Sequence, residues 1–112
     1  MTLRQKQQLF ASLLGEFLVW IFAQGYTVTI GEVERSRSQA LSNAATGAGI
    51  SRSLHLIRLA ADLHLFIDEV YQTSSEAHRP LGEKWESMNP LCRWGGRFND
   101  GNHYSLEHKG VK

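Results

Sequence analysis

The chain has 112 residues, 42% of them hydrophobic and 21% charged, with twelve Lys+Arg against eleven Asp+Glu. This length supports one domain around one core, and eleven aromatics in an evenly mixed chain exclude disorder. A formal charge of +1 gives no reason to expect nucleic acid or an anionic membrane as partner. Cys92 stands alone, which excludes an internal disulfide and a CxxC zinc knuckle, so any metal site must draw on the five His and the carboxylates.

Leu9, Phe10, Leu13, Leu14, Phe17 and Ile21 recur at three- and four-residue spacing, the pattern of an amphipathic helix that Gly25 ends. Glu16 interrupts the apolar run, and its longest unbroken stretch, Phe17 to Ala23, is too short to span a membrane. The polar face also lacks the cationic bias of an interfacial helix, so the segment is expected to be a core helix rather than a signal peptide or an anchor. Tyr26, Val28 and Ile30 alternate with Thr27 and Thr29, which predicts a strand. Residues 34–45 read as a short helix, followed by a Gly-rich loop at 46–51. From Ala61 the alternation returns, with Asp62, His64 and Phe66 on one face and Leu63 and Leu65 on the other. Asp68-Glu69 predicts a turn and Val70-Tyr71 a return strand. Residues 74–89 read as loop or short helix around Trp85, and the turn-rich stretch 94–102 leads into a final strand from His103 to His108. Helices covering a small, mostly antiparallel sheet make the expected fold α+β.

Chemistry concentrates in two places. His55 precedes Asp62 by seven, an odd separation that would put them on opposite faces of one strand; a turn near 56–58 would let them converge. Asp100 precedes His103 by three at a loop-to-strand junction. Two imidazoles and a carboxylate are a common ligand set for a catalytic zinc, leaving Asp100 as a general base. On spacing alone, structural histidines account for the same pattern.

The flanking residues narrow the choice. Ser53-x-His55-x-x-x-x-Ala60-x-Asp62 resembles the signature SxHxxGxAxD of the zinc peptidases that include D-Ala-D-Ala carboxypeptidases, vancomycin-resistance dipeptidases and phage L-Ala-D-Glu endolysins. Trp94-Gly95-Gly96 followed by Phe98-x-Asp100-x-x-His103 resembles the second half of that signature, and Glu34-Arg35-Ser36-x-x-Gln39 is similar to the family's YRSxxxQ segment. The likeness extends over residues 25–108 and looks closest to the small phage-encoded members. It implies that His55, Asp62 and His103 bind Zn2+, that Asp100 accepts the proton of the attacking water, and that Arg35 stabilises the developing oxyanion. Ser53 would contact substrate. Arg58 stands where most members have Gly, and Glu34 replaces the usual Tyr.

The implied function is hydrolysis of peptidoglycan stem peptides by a monomer with no nucleic-acid partner and no membrane insertion. Without a signal peptide, the protein would remain in the host bacterial cytoplasm until released to the cell wall. Two other classes compete: a lysozyme-like glycosidase using Asp62 and Asp100, and a non-catalytic cell-wall-binding module. His64 and Glu107 share faces with Asp62 and His103; a surface or packing role is expected for His64 and an exposed strand carboxylate for Glu107, with contact to substrate or orientation of a ligand as the alternatives. His108 is expected to face away from the site, His78 to be solvated, Trp85 and Trp94 to form core or cleft walls, and Cys92 to be a buried small residue.

Overall fold

In a computed structural model, which describes residues 1–33 and 54–112, helix α1 runs from Leu3 to Ala23. Thr2 starts it with a capping box: its hydroxyl accepts from the Gln5 N–H at 3.1 Å, while the Gln5 side chain accepts from the Thr2 N–H at 2.8 Å. Gln24 caps the other end and Gly25 turns the chain away at φ 90°. The stripe read from the sequence is the buried one, with Phe10, Leu13, Phe17 and Ile21 in the core. Phe17 meets the rings of Trp85 and Tyr104 at 5.1 and 5.2 Å, tying α1 to helix α2 (Arg79–Met88) and strand β5 (His103–Leu106). Truncating so buried an aromatic typically costs about 3–5 kcal/mol.

The remaining strands are β1 (Thr27–Ile30), β2 (Ala60–Ile67), β3 (Val70–Tyr71) and β4 (Cys92–Trp94). They form one sheet in the order β1-β2-β5-β4, with β3 also beside β2, and every pairing is antiparallel. Asp68 and Glu69 join β2 to β3 with φ 51° and 65°, the backbone of a type I′ turn made without glycine. Ala61, Leu63 and Leu65 point into the core, whereas Asp62, His64 and Phe66 alternate to the other, half-buried face. No helix of the described residues is long and apolar enough to cross a membrane.

The fold is the expected α+β arrangement, with three local differences. Strand β4 was not anticipated, because Cys92-Arg93-Trp94 is too short to show alternation. The last strand ends at Leu106 rather than His108, because the chain reverses and His108 bridges back to Val111. His78 is buried rather than solvated: it lies 2.7 Å from the Tyr104 hydroxyl beneath the start of α2. The expected helix at 34–45 and the Gly-rich loop at 46–51 fall outside the described residues, as do Arg35 and Ser53.

Candidate metal centre

The site begins with sheet register. Asp62 on β2 and His103 on β5 are cross-strand partners, so their side chains leave the sheet side by side, on the face opposite the α1-facing Tyr104. His55 arrives from a short 3-10 turn, Leu54–Ile57. The chain leaves this turn through Arg58 at φ 56°; the Leu59 N–H bonds the Leu54 carbonyl at 3.0 Å and the Arg58 N–H bonds the His55 carbonyl at 3.4 Å. That is a Schellman-type closure, whose left-handed residue is usually glycine. The turn expected near 56–58 therefore exists, and it closes at Arg58, the position that needs a positive φ.

His55 Nε2 lies 3.3 Å from Asp62 Oδ1, and His103 Nδ1 lies 3.7 Å from the same oxygen. One ligand atom from each of the three residues falls within 4.8 Å of the others. The two rings meet nearly edge-on, 5.4 Å apart, and both are buried, at 2% and 7% exposure. The remaining nitrogen of each ring faces a main-chain oxygen: His55 Nδ1 that of Val33 at 3.1 Å, His103 Nε2 that of Lys112 at 3.0 Å.

This arrangement fixes the proton count. A main-chain oxygen only accepts, so each outer nitrogen carries a proton, and in a neutral ring the inner nitrogen is then an acceptor. Three acceptors would face one another around Asp62. Two protons relieve this by making both rings imidazolium, and one divalent cation relieves it with both rings neutral. The donor set, two imidazoles anchored through their far nitrogens and one carboxylate, fits zinc. Burial alone would raise the Asp62 carboxyl, but hydrogen bonds from His103 and His55, reinforced by their charge, hold it well below the usual carboxylate range. It is a permanent anion at neutral pH.

Asp100 is not part of this trio. It is exposed on the loop between the 3-10 turn Gly95–Phe98 and β5, and this loop is tightly specified. The Asp100 N–H bonds the Gly95 carbonyl at 2.8 Å, and the His103 N–H bonds the Asp100 carbonyl at 3.1 Å. A side chain at Gly95 would collide with the Asp100 carbonyl, and one at Gly96 with the Trp94 ring. The Trp-Gly-Gly sequence is thus a packing device that sets the path of the loop to His103. Asp100 borders a polar cavity of about 180 Å³ that Tyr71, Ser75, His78 and Asn102 also line. Phe98, 49% exposed, stands edge-on to His103 at 5.8 Å and forms an apolar rim beside the site.

The other candidates sort clearly. His64 packs on Tyr71, and Glu107 pairs with Arg93 at 3.5 Å rather than orienting His103. His108 sits 3.1 Å from Lys6 Nζ, outside the trio. Trp85 and Trp94 are core residues, and burial pushes the Cys92 thiol up to about 12, leaving it unreactive. The main-chain oxygens of Val33 and Lys112 were missed, because a side-chain pattern carries no sign of a main-chain acceptor.

No family model and no curated protein sequence matches the chain. Among solved structures, it is similar to a point mutant of the vancomycin-resistance D,D-pentapeptidase VanY from a VanB-type resistance cassette, in complex with Zn(II). The TM-score is 0.58 at 17% identity, covering 87% of this chain and 70% of that one. At that identity the likeness is one of architecture: the chain shares the VanY-like fold.

Proposed function

We propose that the chain is a zinc-dependent peptidase that hydrolyses peptidoglycan stem peptides. The observation that carries this reading is the convergence of His55, Asp62 and His103, each imidazole held by a main-chain oxygen so that its other nitrogen faces Asp62. The VanY-like fold supports the substrate class, since that neighbour is a zinc-bound D,D-pentapeptidase.

When bound, zinc would supply Lewis-acid polarisation of the scissile carbonyl and a water acidic enough to attack it at neutral pH. The chain's own groups do the rest. Asp100, on its constrained loop, accepts the proton of the attacking water and returns it to the leaving amine. Arg35 offers a fixed, always-charged fork to the developing oxyanion, and Ser53 contacts the substrate. The more specific reading is an L-Ala-D-Glu endopeptidase or D-Ala-D-Ala carboxypeptidase of the phage endolysin type. It would act as a monomer, held in the host cytoplasm until released to the wall.

The test is mass analysis of purified peptidoglycan digested with and without chelator. New amino termini within stem peptides, or loss of terminal D-Ala, that vanish with chelator are the expected result. Chelator-resistant release of reducing sugars would instead identify a glycosidase. Asp62 is poorly suited to that chemistry, because both imidazoles already engage it.

A further inference from the structure

We infer that the hairpin following β5 is a positioning element for the metal centre, returning a main-chain acceptor to His103 so that the ring presents Nδ1 to Asp62. The inference rests on the metal-centre reading above.

The hairpin is written into the sequence at Lys109-Gly110. Both residues have positive φ, 49° and 80°, which is the backbone of a two-residue type I′ reversal. It is closed by reciprocal hydrogen bonds, His108 N–H to the Val111 carbonyl at 3.0 Å and Val111 N–H to the His108 carbonyl at 2.9 Å. Lys6 on α1 secures its base, with Nζ 3.4 Å from the Glu107 carbonyl and 3.1 Å from His108 Nδ1.

Reversal brings Lys112 back along β5. Residues 103 and 105 of a strand share a face, and the Lys112 main-chain oxygen takes a hydrogen bond from both: His103 Nε2 at 3.0 Å and Ser105 Oγ at 3.2 Å. Ser105 is fully buried, so its hydroxyl locates that oxygen as well as bonding it. The bond keeps the His103 proton on Nε2 and the lone pair on Nδ1, where the metal would be. Partners of this kind are typically worth 10–100-fold in metal affinity.

The experiment compares the full chain with Gly110→Val, Gly110→Asn and a chain lacking residues 109–112. Zinc affinity is measured against a chromogenic chelator, and the His103 tautomer by nitrogen-15 NMR of the apoprotein at a pH high enough for the ring to be neutral. A Cβ at Gly110 meets nothing within 4 Å, so the substitutions act mainly through φ. Asn tolerates that φ and Val does not. We expect wild-type behaviour from Gly110→Asn. Gly110→Val and the deletion should weaken zinc binding roughly 10-fold or more, with His103 no longer held as the Nε2–H form. Unchanged affinity and an unchanged tautomer in both would overturn the inference. A full chain that binds no zinc would remove the metal reading, and the tautomer would still decide whether the hairpin orients His103. Should the deletion melt early in chelator, the Val and Asn pair decides alone.

Discussion

Trp94 donates its indole N–H to the carbonyl oxygen of Gly101 at 2.7 Å, spanning the base of the loop that carries Asp100 and delivers His103. The ring has glycines on its faces, since a Cβ at Gly82 or Gly96 would collide with it. The guanidiniums of Arg79 and Arg97 lie 5.7 and 5.3 Å from it, and Arg97 is held by Glu86 at 2.8 Å. Trp94→Phe keeps most of the ring but leaves the Gly101 carbonyl without its partner, at a cost of about 1–3 kcal/mol. Urea unfolding in chelator measures this. Wild-type stability in Trp94→Phe would show that the indole hydrogen bond does not hold the loop.

Arg58 occupies the left-handed position that closes the turn after His55. Replacing it with Gly and with Ala removes the same side-chain interactions, so the two variants differ only in backbone preference. Arg58→Gly should be more stable than Arg58→Ala by about 1 kcal/mol. Equal stability would mean that the turn relaxes to another conformation.

His78 sets a pH dependence separate from the metal centre. Burial, with a smaller push from His64, lowers its pKa from 6.5 to about 4. The unfolded chain therefore binds more protons than the folded one between these values. Stability is complete above about pH 6.5 and declines as pH falls toward 4. The contribution is about 1–2 kcal/mol, less than the full shift, because the ring borders the polar cavity and is partly screened. His78→Gln, which can still accept from Tyr104, should unfold in chelator with a shallower pH slope over this window. A slope equal to wild type would assign the acid sensitivity to other groups.

The main elements were legible in the sequence because each leaves a periodic side-chain signal. The α1 stripe and the alternation through Asp62 and His64 are periodic signals of this kind. The convergence of His55, Asp62 and His103 was expected through the flanking motifs, since their spacing alone fits structural histidines equally well. What escaped was set by main-chain geometry or by contacts distant in sequence. The acceptors at Val33 and Lys112 have no side-chain signature, and the reversal at Lys109-Gly110 was not anticipated. His78 looked solvated in its polar stretch, since nothing local announces a tyrosine 26 positions away. The turn near 56–58 was expected, but nothing in Arg58 itself announced that it closes through a positive φ, a position usually held by glycine.

Asp100 is proposed as the general base, and its place outside the ligand trio separates its two possible failures. Asp100→Asn should retain zinc while turnover of a stem peptide falls by about 10²-fold or more. Loss of zinc from this variant would make Asp100 a ligand, and full activity would remove it from the reaction.

Metal stoichiometry by native mass spectrometry, on the wild-type chain and on His55→Ala, Asp62→Asn and His103→Ala, tests the central claim most directly. The account predicts one zinc per wild-type chain. It also predicts little or none in each variant, with melting temperatures close to that of the chelated wild type, because metal binding contributes to folding. A wild-type chain that takes up no zinc, or variants that bind it as fully as wild type, would contradict a metal centre built from these three residues.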